Sequence, residues 1–159
     1  MIPALVPIPG TPWDVLPPGV HAATFGEVEL TFAYNAPRRA LFSGLIDASA
    51  ALARCGCKCV FLDGSYVSGK PIPGDYDACW DPGGVDFDQL DPVFGDFENG
   101  RENQKARFGG EFFPSTIIEA GLGAAFTEFF QIDRFTGKKK GILSVSLTSD
   151  DTVSRRIKR

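Results

Sequence analysis

Gly64-Ser65-Tyr66-Val67-Ser68-Gly69-Lys70-Pro71-Ile72-Pro73-Gly74-Asp75-Tyr76-Asp77 is the stretch on which the reading of this chain turns. It leaves an apolar, strand-like segment at residues 59–62 and enters another at residues 76–80. A Gly-Ser pair at a strand end can approach a phosphate closely, because glycine has no Cβ and serine adds a hydroxyl donor. Alternate residues of a strand face the same way, so Asp75 and Asp77 project together. Two convergent carboxylates suit Mg²⁺, a hard cation that takes oxygen ligands and leaves positions open for a triphosphate. The plainer reading is a turn, since Gly, Pro and Asp gather in turns for their backbone preferences alone. The apolar runs on both sides, the second ending in Ala78-Cys79-Trp80, weigh against it.

Upstream, residues 35–54 form the clearest helix. Asn35 is a fair N-cap and Pro37 suits a first turn. Leu41, Leu45, Ala48 and Leu52 recur at helical spacing, with Phe42 and Ile46 widening the stripe, and Gly56 stands where the helix should stop. Arg38 and Arg39 fall in the first turn and read as a solvated face, with a grip on substrate phosphates as the minor option. Residues 27–34 read as a short helix or an edge strand. Downstream, the pattern predicts a short helix over 86–93, a polar helix over 99–107 and a strand over 108–114 broken by Gly109-Gly110. A helix over 115–130, a basic turn at 137–140 and a strand over 142–147 follow. The expected fold is therefore α/β (α+β), a small mixed sheet flanked by helices in one domain over residues 1–159. Residues 1–19 hold half of the twelve prolines and should lie as an extended arm, with Trp13 and Leu16 as anchors. Residues 148–159 read as a loose basic tail.

Composition narrows the function. The chain has 43% apolar and 23% charged residues, ordinary globular values, and its formal charge of −4 argues against a protein that coats nucleic acid. Lys138, Lys139, Lys140 and the tail cations Arg155, Arg156, Lys158 and Arg159 leave room for a local basic patch. No apolar run approaches the length of a membrane span and no signal peptide opens the sequence, so a cytoplasmic protein without a membrane partner is expected. Cys55, Cys57 and Cys59 alternate, a spacing unlike that of zinc pairs, and with Cys79 they read as structural thiols. The single histidine, His21, lies just beyond the Pro-rich arm, which disfavours histidine-based nucleophilic catalysis.

Gly-Ser followed some ten residues later by Asp-x-Asp resembles the signature of the DNA polymerase beta-type nucleotidyltransferase superfamily. The closest likeness is to the minimal nucleotidyltransferases found in bacterial toxin–antitoxin and phage-defence modules. It covers residues 54–80, with weaker support as far as Pro114. The resemblance implies transfer of a nucleoside monophosphate from a nucleoside triphosphate to an acceptor hydroxyl, on an RNA end or a protein, with pyrophosphate leaving. It implies that Asp75 and Asp77 bind one or two Mg²⁺ ions, and that Gly64, Ser65 and Lys70 hold the phosphates. The superfamily's third carboxylate falls best on Glu111, a departure from its usual aspartate, with Asp86, Asp88 and Asp96 as competitors. A cognate antitoxin or operon partner would accompany such a protein. Two other classes remain open from the residues: a catalytically inactive relative that binds nucleotide or a partner, and an unrelated α/β phosphate-binding protein.

Overall fold

A computed structural model describes residues 1–116, 128 and 130–158. Its elements in chain order are β1 (Gly19–Ala22), α1 (Phe25–Phe32), α2 (Ala36–Arg54), β2 (Cys59–Asp63), β3 (Tyr76–Trp80), α3 (Glu98–Phe108), β4 (Gly110–Pro114), β5 (Gly141–Ser146) and α4 (Asp151–Ile157). The strands form one five-stranded sheet in the order β1-β5-β2-β3-β4. The outer pairs β1–β5 and β3–β4 are parallel, while β2 runs antiparallel to both β3 and β5. This is the mixed sheet with flanking helices that the sequence predicts.

Period-two alternation decides what each face of the sheet carries. Val60, Leu62, Ala78, Trp80, Phe112, Leu143 and Val145 point to one side and join the main core with Phe25, Phe32, Leu45, Ile46, Leu52 and Val153 of the helices. Phe61, Cys79, Phe113 and Ile142 point to the other side and make a smaller cluster with Phe130. Helix α2 is the backbone of the helical layer. Asn35 Oδ1 accepts from the Arg38 amide at 3.0 Å, and Phe42, Leu45, Ile46, Ala48 and Leu52 are buried along one stripe. Helix α1 settles the ambiguity at residues 27–34. A reciprocal Thr24–Glu27 capping box starts it.

Four expectations are corrected. Residues 86–91 make turns, with Asp86 accepting from the Asp88 amide at 3.0 Å, and only a short 3₁₀ helix, Pro92–Gly95, follows, which Asp91 caps by accepting from the Val93 amide at 3.0 Å. The tail is not loose: Asp150 caps α4, accepts from the Phe25 amide at 2.9 Å and so fastens two helix starts together, while Val153 is buried and Arg156 pairs with Asp47 of α2. The basic turn lies earlier than expected, at Arg134–Thr136, and residues 138–140 run extended with Lys139 bridged to Ile132. Arg38, expected on a solvated face, is fully buried. The helix expected over 115–130 falls almost wholly outside the described residues.

The proline-rich arm is part of the fold. Val6 and Val15 form an antiparallel bridge, Leu16 is buried, and the Gly69 and Gly141 amides donate to Asp14 O and Leu16 O at 2.8 and 2.9 Å. The thiols of Cys55, Cys57 and Cys79 are buried and that of Cys59 half-buried. All four are free, and burial pushes Cys57 up to about 11.

Candidate functional site

Sheet register builds the site. Asp63 of β2 pairs with Asp77 of β3, and Asp77 pairs with Glu111 of β4, so three carboxylates stand in a row across three neighbouring strands. Residues paired across a sheet share a face, and Asp75, two residues before Asp77, joins the same side. One carboxylate oxygen from each of Asp75, Asp77 and Glu111 lies within 4.8 Å of the other two, all three side chains being half-buried. The structure thus brings together the three acids named from sequence.

The Gly-Ser turn is fixed by the same register. Gly64 has φ 84° and ψ −173°, a conformation that only glycine adopts readily. A Cβ there would lie 2.8 Å from Asp77 Oδ2 and 3.2 Å from the Asp77 amide nitrogen. The missing side chain therefore keeps the space beside Asp77 open. Ser65 begins a single 3₁₀ turn, Ser65–Val67, closed by a 2.6 Å hydrogen bond from Ser68 Oγ to Ser65 O. The Arg38 guanidinium then donates to the carbonyls of Tyr66, Ser68, Lys70 and Pro71 in this connection and to Phe32 O of α1. One buried cation thus pins the whole loop to the helical layer.

These parts line one cleft of about 500 Å³, within the ordinary range for a small-molecule site. Gly64, Ser65, Lys70, Asp75 and Asp77 all face it, together with Lys140 and Trp13. Glu111 stands behind it, engaged by Lys105 Nζ at 2.7 Å and by Arg101 Nε at 3.1 Å. Arg101 reaches that position from a left-handed stretch, Asn99 to Arg101, at the start of α3, and its guanidinium lies 4.8 Å from the Phe113 ring centre. The competitors for the third carboxylate lie outside the acid group. Asp86 and Asp96 hold local amides, and Asp88 is exposed.

The charges are unevenly matched. Asp77 is pushed up to about 7 by burial, reinforced by Asp63, Asp75 and Glu111 and opposed by Lys140. Burial and then Glu111 raise Asp75 above the usual carboxylate range, against Lys105, Lys70 and Arg134. Asp63 is also raised by burial but keeps a direct 2.8 Å ion pair with Lys140. Crowded hard-oxygen donors with negative charge to spare fit a divalent cation, and the open space at Gly64 fits a ligand beside them. Sequence reading missed Asp63 and took Lys140 only as part of a basic patch; the two lie 77 positions apart and are brought together by the β2–β5 pairing. It also missed the cleft's Arg134 and Phe135, for which no motif gives a signal.

A model of a protein family of unknown function, DUF6932, matches residues 11–146. The chain belongs to the DUF6932 family. The matched span of this DUF6932 protein holds every strand of the sheet and every acid of the site, from the arm to the end of β5. No curated protein and no solved structure matches the chain.

Proposed function

We propose that this DUF6932 protein is a metal-dependent nucleotidyltransferase that moves a nucleoside monophosphate from a nucleoside triphosphate to an acceptor hydroxyl. The observation that carries the reading is the convergence of Asp75, Asp77 and Glu111 within 4.8 Å of one another at a cleft that also holds the Gly64–Ser65 turn and Lys70. Asp75, Asp77 and Glu111 are the residues that would hold Mg²⁺, which when bound supplies charge neutralisation to the triphosphate and the leaving pyrophosphate. Gly64 offers backbone and Ser65 backbone and hydroxyl donors to the phosphates, in a turn already held in shape by Ser68 and Arg38. Lys70 adds a cation on the same wall. Glu111, on the far side of Asp77, is the group that would take up the acceptor side. An RNA end or a protein hydroxyl is the acceptor class, and a toxin–antitoxin or defence setting with a cognate partner follows from the resemblance of the signature. No helix among the described residues is long and apolar enough to cross a membrane. A cytoplasmic setting, where triphosphates are at hand and four free thiols stay reduced, suits the reaction.

One observation favours a second reading. Lys105 and Arg101 already form ion pairs with Glu111, so the third carboxylate has cationic partners without a metal ion. A non-catalytic member that binds nucleotide or a partner would keep that pairing permanently. Thermal melting tests the nucleotide-binding step, and a transfer assay then separates a catalyst from a member that only binds. Mg²⁺ with a non-hydrolysable triphosphate should raise Tm by mass action, and Mg²⁺ alone should do far less, since three carboxylates hold the ion weakly until phosphate oxygens complete its shell. An equal shift with metal alone would indicate a dedicated cation site without a nucleotide role.

A further inference from the structure

The acids, the Gly-Ser turn and the cations of the cleft suit phosphates and a metal. Its lining also holds two aromatic rings, which nothing in the chemistry of phosphates or metals requires. Trp13, from the proline-rich arm, and Phe135, from the turn before β5, meet there edge to face, with ring centres 6.0 Å apart and planes at 86°. Phe135 is 47% exposed and Trp13 half-buried, so neither ring is spent on the core. Lys70 Nζ lies 5.0 Å from the Trp13 ring centre, and the Arg134 guanidinium lies at the same 5.0 Å from that of Phe135.

The corner is held rigidly. Asp133 Oδ2 accepts from Thr11 Oγ1 at 3.0 Å, from the Thr136 amide at 2.9 Å and from Thr136 Oγ1 at 2.7 Å, which locks the arm to the Phe135 turn. The Gly69 amide donates to Asp14 O at 2.8 Å, which locks the arm to the loop that carries Lys70 and Ser65. Two accessible rings at right angles, fixed in the lining of a cleft and flanked by cations, make a platform for a flat π-system joined to an anion.

Resting on the nucleotide reading above, we propose that Trp13 and Phe135 form the nucleobase subsite of this cleft. The ligand is a nucleoside 5′-triphosphate whose base stacks on the arm while its phosphates lie toward Gly64, Ser65 and Lys70. Stacking tolerates any base and is stronger for larger rings, so the subsite recognises nucleosides as a class and favours purines. Lys70 serves both parts of the ligand. Its ammonium, lying over the Trp13 ring, turns toward the phosphates when a base takes that place. The arm is then a substrate-binding element in addition to a brace.

Calorimetric titration of the full chain with Mg²⁺ plus a non-hydrolysable adenosine or cytidine triphosphate, and in parallel with Mg²⁺ plus inorganic tripolyphosphate, tests this directly. The wild type should bind the nucleotides at least about tenfold tighter than tripolyphosphate. Trp13→Ala should erase that advantage and leave tripolyphosphate affinity within about twofold, whereas Trp13→Phe should keep most of it. Phe135→Ala, on a separate and more exposed segment, should lower nucleotide affinity in the same selective way, which guards against a folding defect in the arm. If the wild type binds tripolyphosphate as tightly as the nucleotides, or Trp13→Ala and Phe135→Ala both keep the advantage, the subsite is overturned while a phosphate-binding role stands. If neither ligand binds the wild type, the nucleotide reading fails and the subsite falls with it.

Discussion

Replacing Arg38 should loosen the candidate site from behind, and the structure sets the size of the effect. Its guanidinium is fully buried and no carboxylate among the described residues pairs with it. Its charge is balanced instead by the carbonyls of Phe32 at 3.1 Å, Tyr66 at 2.6 Å, Ser68 at 3.0 Å, Pro71 at 3.3 Å and Lys70, with the Tyr34 ring centre 4.7 Å away. Hydrogen bonds from a charged donor contribute about 1.5–3 kcal/mol each, but they are not additive here because one side chain makes them all. Water can also enter the space left by Arg38→Ala and satisfy part of the set. A loss of about 3–5 kcal/mol is the reasonable total, comparable to breaking a buried charged pair. For a chain of this size that lowers Tm by roughly 6–20 °C. Arg38→Lys keeps the charge but has three donors and no planar fork, so it should fall between. Melting followed by circular dichroism gives the global cost. Hydrogen exchange locates it, since amides of residues 64–71 should lose protection before those of β2 and β3. An Arg38→Ala variant that melts within about 2 °C of wild type, with loop protection intact, refutes the claim that this arginine pins the loop.

Three further outcomes follow from the site's geometry. Gly64→Ala should cost about 1–3 kcal/mol from backbone strain alone, and the contact at 2.8 Å from Asp77 Oδ2 should also weaken Mg²⁺–triphosphate binding in calorimetry; wild-type affinity would show that the turn tolerates a side chain. Asp77 rises from an ordinary 3.8 to about 7 in the folded protein, so the folded state holds a proton that the unfolded state releases between those values. Metal-free stability must therefore fall as pH rises through that window, by at most ~4 kcal/mol and by about half that once the solvent in the cleft is allowed for. Asp77→Asn should flatten the fall in melts in EDTA at pH 5 and 8; an unchanged slope would assign it to other groups. Lys140→Met leaves Asp63 buried without its partner and should cost about 3 kcal/mol at pH 8 and distinctly less at pH 5, where Asp63 can protonate; equal losses at both pH values would mean the pair carries no charge.

What could be read from the sequence was what is written locally. The α2 stripe with its Asn35 cap, and β3 at residues 76–80, are encoded by side chains within one element, and both appear where expected. Asp75 and Asp77 were legible because period-two geometry alone makes them neighbours. Glu111 needed the parallel β3–β4 register, which sequence spacing does not contain, and it was reached through the family pattern. Asp63, one residue past the apolar run at 59–62, went unread, since its partner Lys140 arrives from 77 positions away. Arg38 was misread for a related reason. A charged residue in a first turn is usually solvated, and only the inward turning of five carbonyls makes its burial tolerable. Helix α4 did leave a signal in Asp150-Asp151, an acidic N-cap ahead of Val153, but a segment at the terminus was read as a loose tail on its position alone.

Transfer itself is the most direct test of the central claim. Purified protein would be incubated with each labelled nucleoside triphosphate, Mg²⁺ and either total RNA or protein acceptors, alongside folded Asp75→Ala and Asp77→Ala. The account predicts a labelled product with the wild type and a loss of roughly 10³-fold or more in each variant, because a lost metal ligand removes several kcal/mol of transition-state stabilisation. Near-wild-type transfer by either folded variant, or triphosphate binding by the wild type with no product on any acceptor, would contradict it.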